Sequence, residues 1–127
     1  NTSVYAHLHR QFGDRIILLM KTDRMAAYVR GCDLYFTKPG GLSTTEAAVM
    51  EAPLVLLPPI PGCETINRRF YCGHGMALSA DASPEALGAV LARLDDPDFW
   101  ETMHRRQREC IPKDAPEKIC DLAESLA

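Results

Sequence analysis

A glycine-rich loop covers residues 37–46, which read TKPGGLSTTE and precede a helical pattern. Gly40 and Gly41 would let a ligand approach bare backbone, and a helix N-terminus offers unpaired N–H groups with partial positive charge. This chemistry suits a diphosphate, with the hydroxyls of Ser43 and Thr44 as further donors. In the alternative interpretation the glycines only form a turn, and Ser43 and Glu46 form a capping box.

A proline-rich loop covers residues 58–67, which read PPIPGCETIN. Its three prolines make it stiff, so it could hold polar groups in fixed positions. Glu64 and Asn67 lie three residues apart on one face of a first helical turn. A carboxylate and an amide there would suit the hydroxyls of a sugar. The alternative is that Glu64 only complements the helix dipole and Asn67 is solvated.

These loops must be positioned by the elements around them. Apolar runs of strand length cover residues 15–20, 34–36, 54–57 and 76–78, and helical patterns cover residues 3–12, 23–30, 43–51 and 64–71. Start signals for helices occur at Asp23, Ser83-Pro84, Asp96-Pro97 and Asp114 with Glu117. Such alternation predicts an α/β fold with an open parallel sheet and helices on both faces. Ligands of these sheets bind beyond the carboxyl ends of the strands, where both loops should lie.

Composition excludes several classes of protein. The 127 residues fit one domain, and 46% hydrophobic content is enough for a core. A net charge of −3 argues against general nucleic-acid binding. The longest apolar run, residues 16–20, is far below the roughly 18 residues of a membrane span. The five cysteines form no C-x-x-C pair, which indicates reduced thiols in a cytosolic protein and no zinc framework.

Three segments resemble one known family. Residues 32–47 (CDLYFTKPGGLSTTEA) are similar to the D-L-x-x-T-K-P-G-G-L-T-x-x-E-A segment of GT-B glycosyltransferases. The group resembled contains the monogalactosyldiacylglycerol synthases and the processive diacylglycerol glucosyltransferases. Residues 59–67 resemble its P-x-P-G-Q-E-x-x-N motif, and residues 22–28 resemble its T-D-x-M segment. The resemblance extends from about residue 2 to about residue 80.

The resemblance implies a Rossmann-like C-terminal domain that holds a UDP-sugar donor. The backbone from Gly40 to Ser43 would meet the diphosphate, Glu46 the ribose and Thr22 the surroundings of the uracil. The full implied donor site is Thr22, Lys38, Gly40, Gly41, Leu42, Ser43, Glu46, Pro61, Gly62, Cys63, Glu64 and Asn67. It implies no metal, no cofactor beyond the UDP-hexose substrate, and no catalytic residue within this chain.

By the same resemblance, residues 1–127 are expected to be a donor-binding fragment of an inverting hexosyltransferase. The N-terminal domain, with the lipid acceptor site (for example for diacylglycerol) and the base, would lie outside the chain. The expected enzyme is cytoplasmic and peripheral on the inner face of a membrane, with no nucleic-acid partner. Two departures are Met20-Lys21 for a Gly-aromatic pair and Cys63 for Gln. The alternatives are the N-acetylglucosamine transferase of peptidoglycan precursors and a non-catalytic nucleotide-sugar-binding module.

Overall fold

The structure, a computed structural model, describes residues 2–126. Short parallel strands alternate with helices, and further helices follow, which confirms the predicted α/β class. The elements are α1 (Thr2–Phe12), α2 (Met25–Gly31), β1 (Tyr35–Thr37), α3 (Gly41–Val49), β2 (Leu54–Leu56), α4 (Cys63–Gly73), β3 (Leu78–Ser79), α5 (Pro84–Leu91), α6 (Pro97–Cys110) and α7 (Ala115–Ser125). A 3-10 turn, Gly13–Arg15, follows α1.

The three strands form one parallel sheet in the order β1-β2-β3. Tyr35 pairs with Leu54, and Leu56 pairs with Ser79. All three residues of the central strand β2 are fully buried, as a run that is apolar on both faces predicts. Because the strands are parallel, the loops that follow β1 and β2 leave the same edge of the sheet.

The core occupies both faces of this sheet. On one face, Leu54 and Leu56 pack in a cluster that contains residues of α2, α3 and α4, including Tyr71. On the other face, Val55 packs with Val90 of α5. The predicted placement of helices on both faces is therefore confirmed.

A buried amide joins α6 to the sheet. Gln107 is fully buried, and its Nε2 donates to the carbonyls of Ala52 and Met76, each at 2.9 Å. These carbonyls precede β2 and β3. The side chain therefore ties the amino ends of two neighbouring strands to one helix.

The strand predicted at residues 15–20 is wrong. Within residues 2–126 this segment pairs with no strand, and Ile17 is 82% exposed. A strand needs a neighbour to satisfy its backbone N–H and C=O groups. An apolar run of the right length does not supply one.

The predicted helix starts divide into two groups. Ser83 Oγ accepts from Ala86 N at 3.2 Å, and Asp96 Oδ1 accepts from Phe99 N at 3.0 Å, so these caps are confirmed. The cap at Asp23 is wrong, because α2 begins after Arg24 without a side-chain cap. The capping box of Asp114 is also wrong: its carboxylate pairs with Lys118 at 3.1 Å instead.

The five cysteines are free thiols in the structure, as predicted. Burial raises the pKa of the Cys72 thiol and that of the Cys32 thiol. Both therefore stay protonated at neutral pH.

Candidate functional site

The glycine loop connects β1 to α3 and leaves the start of that helix open. Gly40 is the N-cap residue of α3 and provides no side-chain hydrogen bond. Thr44 N donates to Gly40 O at 3.0 Å, the first bond of the helix. The amides of residues 41–43 precede that bond and have no acceptor within the helix. The carboxyl end of β1 thus carries a set of N–H groups suited to an anion.

The alternative interpretation, a capping box formed by Ser43 and Glu46, is wrong. The helix begins at Gly41, two residues before the predicted start, so Ser43 lies inside its first turn. A residue there already has helical backbone geometry and cannot act as the cap. Glu46 is exposed one turn further along α3.

Thr44 does not offer its hydroxyl to a ligand, contrary to the prediction. The residue is fully buried, and its Oγ1 donates to Gly40 O at 2.8 Å and lies 3.2 Å from Gly41 O. The hydroxyl therefore holds the backbone of the loop. Ser43 is half-buried, while Lys38 and Leu42 are exposed at the mouth of the loop.

The proline loop connects β2 to α4, and the carboxylate of Glu64 accepts a hydrogen bond from the backbone of the same loop. Glu64 Oε2 accepts from Ile60 N at 2.7 Å. Gly62, with φ of 118°, caps α4 in a conformation that side chains rarely adopt. Pro61 and Cys63 are exposed on either side of it. Glu64 thus stabilises the loop in which it lies. The spacing of Glu64 and Asn67 in the sequence did not predict this role.

A hydrogen bond joins the two loops. Asn67 Nδ2 donates to Pro39 O at 3.0 Å, across 28 positions of sequence. One turn later on α4, the hydroxyls of Tyr71 and Thr45 lie 3.2 Å apart. The expectation that both loops lie at one edge of the sheet is therefore correct.

Thr22 lies in a different turn. Its Oγ1 accepts from Arg24 N at 3.0 Å and shapes the entry to α2. Within residues 2–126 the structure gives it no hydrogen bond to either loop. A role for Thr22 in the site stays a prediction.

Two neighbouring features were not predicted. Arg68, beside Asn67, donates from Nε to Ser79 Oγ at 2.8 Å at the end of β3. A groove of about 460 Å³ lies on the α5 face of the sheet and is entirely apolar. It is lined by Phe36, Leu57, Ala82, Leu87 and Leu91. Phe36, the central residue of β1, is exposed between two half-buried neighbours and contributes its ring to this groove.

Over residues 2–126, no three His, Cys, Asp or Glu side chains gather as a metal site would require. None of the helices in this range combines the length and apolar character of a membrane span.

The chain is similar to proteins named processive diacylglycerol beta-glucosyltransferase. Identity to that of Bacillus subtilis (strain 168) is 34% over 101 residues, 80% of this chain and 26% of that protein. For Staphylococcus carnosus (strain TM300) it is 27% over 122 residues, 94% of this chain and 31% of that protein. For Bacillus pumilus (strain SAFR-032) it is 27% over 114 residues, 90% of this chain and 30% of that protein. No protein-family model matches the chain, and no solved structure gave a significant match.

Proposed function

The chain is homologous over most of its length to the processive diacylglycerol beta-glucosyltransferases, and on that premise we propose that it forms the UDP-hexose-binding part of an inverting hexosyltransferase. The proposed acceptor is a membrane lipid such as diacylglycerol. The chain spans about a quarter to a third of the length of these relatives. We assign acceptor recognition and the catalytic base to the remainder of the enzyme.

The open amino end of α3 carries this proposal. Among the residues that the structure describes, no side chain caps its first amides, and a Cβ built on Gly40 would meet no atom within 4 Å. A diphosphate can therefore come close to the backbone. The nine residues of α3 direct a partial positive charge to the same point.

The remaining contacts follow from this anchor. Glu46 is exposed on α3 and would accept hydrogen bonds from the ribose hydroxyls. The proline loop, with Pro61, Gly62 and Cys63 exposed, would face the hexose. Thr22 would lie near the uracil.

The reaction requires stabilisation of a leaving group. An acceptor hydroxyl attacks the anomeric carbon, the bond from that carbon to the diphosphate oxygen breaks, and the acceptor proton passes to the base. Negative charge grows on the UDP that leaves. Backbone amides at a helix N-terminus stabilise such charge without reorganising, which favours the transition state. In this scheme α3 stabilises the leaving group of the reaction. The proposed enzyme lies on the inner, cytoplasmic face of a membrane.

A titration of the ¹⁵N-labelled chain tests the proposal. UDP, UDP-glucose and UDP-galactose should shift amide resonances in residues 38–46 and 61–67. Uridine, which lacks the diphosphate, is the control and should leave residues 40–43 unshifted. Shifts confined to other residues, or no response to any uridine diphosphate, would contradict the proposed site.

A non-catalytic nucleotide-sugar-binding module is the second candidate. Cys63 favours it, because the thiol replaces the glutamine of the motif that the loop resembles. Binding of UDP-hexose without sugar transfer by the full-length enzyme would support this alternative. Including UDP-N-acetylglucosamine in the titration tests the peptidoglycan-precursor alternative.

A further inference from the structure

We propose that α4 acts as a clasp on the glycine loop, and that Asn67 and Tyr71 are positioning residues for the anion-binding amides. The proposal rests on the function proposed above, because it assigns these residues to the same site. It differs from the role implied by the resemblance, in which Asn67 touches the donor directly.

The clasp consists of two contacts from one face of α4. Asn67 and Tyr71 are four residues apart, so their side chains project from the same side of the helix. The first contact joins Asn67 Nδ2 to Pro39 O at 3.0 Å, and the second joins the Tyr71 and Thr45 hydroxyls at 3.2 Å. Pro39 and Tyr71 are buried, so water does not compete freely for these groups. The two contacts bracket the start of α3.

The first contact holds one end of a peptide plane whose other end is also held. The Pro39 carbonyl accepts from Asn67, and the N–H of Gly40 in the same plane donates to Lys38 O at 2.8 Å. A peptide unit is rigid and planar. Two hydrogen bonds at its opposite ends therefore fix its orientation, although glycine by itself would leave the loop free to rotate.

The next peptide plane, between Gly40 and Gly41, is held from within α3. The Gly40 carbonyl accepts from both Thr44 N and Thr44 Oγ1, at 3.0 and 2.8 Å. In a trans peptide the C=O and N–H groups point in opposite directions. The N–H of Gly41 must then point away from the helix, towards the space where we propose the diphosphate.

The side-chain amide of Asn67 also lies next to Gly41. A Cβ built on Gly41 would lie 4.0 Å from Asn67 Nδ2. The amide thus packs against the same loop whose carbonyl it holds. Preorganised donors bind an anion better than donors that must be ordered by it, so the clasp should strengthen donor binding without touching the donor.

Asn67→Asp removes the donor while nearly preserving the shape of the side chain. Its carboxylate would face the Pro39 carbonyl oxygen and repel it. In the ligand-free chain we expect the amide resonances of residues 40–43 to shift. We also expect the Kd for UDP to rise about tenfold, which corresponds to the upper range for the loss of one neutral hydrogen bond. The exposed Gln11 of α1 offers a charge-matched control. Gln11→Glu should leave both measurements unchanged.

A pH titration of Asn67→Asp separates positioning from a general loss of fold. Below the pKa of the introduced carboxyl, the neutral acid can again donate, from O–H, to the Pro39 carbonyl. The amides of residues 40–43 should therefore return towards their wild-type positions as the pH falls. Shifts that do not recover, in a chain whose far-ultraviolet circular dichroism is native, would overturn the clasp.

Tyr71→Phe and Thr45→Ala test the second contact, since Tyr71→Phe keeps the ring that packs in the core. Each should weaken UDP binding by about threefold, and the double variant should be no weaker than either one because the pair acts as a unit. Additive losses would overturn the second contact. Wild-type resonances for residues 40–43 in Asn67→Asp would overturn the first. If those resonances move but the wild-type chain does not bind UDP, the clasp is supported and the proposed function fails.

Discussion

Thr44 Oγ1 lies 2.8 Å from the carbonyl oxygen of Gly40, so the residue that caps α3 is held from within the helix. A hydroxyl used in this way satisfies the carbonyl, and within residues 2–126 no side chain caps the first amides of α3. The same bond that stabilises the helix start therefore keeps it open to a ligand.

Gly40→Ala should separate binding from stability. Gly40 has φ of −74° and ψ of 142°, which alanine adopts readily, and its Cβ would point into open space. We expect the free energy of unfolding to change by less than ~0.5 kcal/mol, as for an ordinary surface substitution. The Kd for UDP should rise at least about tenfold, because the methyl group occupies the approach to the amides.

Gly88→Ala in α5 is the matched control for Gly40→Ala. Its Cβ also meets open space, and alanine favours a helix interior over glycine by about 0.8–1.0 kcal/mol. Calorimetric binding and urea unfolding should show a more stable chain with unchanged UDP affinity. Equal affinities in Gly40→Ala and wild type would place the diphosphate elsewhere.

Gly62→Ala should destabilise the proline loop. With φ of 118° and ψ of −132°, Gly62 lies in a region that costs other residues about 1–3 kcal/mol. Urea unfolding should show a loss of that size. The amide resonances of residues 61–67 should also move. A variant as stable as wild type would show that the loop relaxes at no cost.

Gln107→Met tests the buried amide of α6. Methionine fills a similar volume but cannot donate to the carbonyls of Ala52 and Met76. Loss of two buried hydrogen bonds should lower the free energy of unfolding by about 2–3 kcal/mol in urea. The UDP affinity of the folded fraction should be unchanged, since both carbonyls precede their strands. A loss below ~0.5 kcal/mol, within the range of surface substitutions, would refute this role.

Glu51→Gln tests the ion pairs that join the end of α3 to α6 and Lys113. Hydrogen bonds from Lys113 at 2.8 Å and from Arg108 at 2.6 Å lower the pKa of the Glu51 carboxyl below its ordinary value of 4.5, and the bond from Lys113 has the larger effect. A lowered pKa in the folded chain gives stability that is present above 4.5 and lost as the pH falls through the folded value.

The wild-type chain should therefore be slightly more stable than Glu51→Gln at pH 7, and the two should converge as the pH falls below 4.5. Glutamine keeps the same backbone at this position of positive φ, so strain cancels in the comparison. Thermal unfolding across pH 3–7 measures the difference. A gap that persists at pH 3 would mean that the carboxylate charge is not its source.

Cys63→Gln restores the residue of the motif that the proline loop resembles. The added amide would reach the hexose hydroxyls, so the Kd for UDP-glucose should fall by about threefold. That for UDP should not change. Equal changes for both ligands would show that residue 63 does not face the sugar.

The sequence by itself determined those features that depend on neighbouring residues. Ser83 and Asp96 cap their helices as predicted, because the donor amide is three positions away in each case. The all-apolar β2 is buried between two layers of helices, and the two loops that resemble the glycosyltransferase motifs follow β1 and β2. Local hydrogen bonds and the periodicity of burial both depend on residues that lie close together in the sequence.

Only the tertiary structure decided how distant groups pair. The bond from Asn67 to Pro39 spans 28 positions and that from Gln107 to Ala52 spans 55, and no local pattern predicts either. The segment from Ile16 to Met20 has the composition of a strand, but within residues 2–126 no strand lies beside it. Hydrogen bonds of this kind form only when separate elements are packed side by side, because each donor needs an acceptor that another part of the chain supplies.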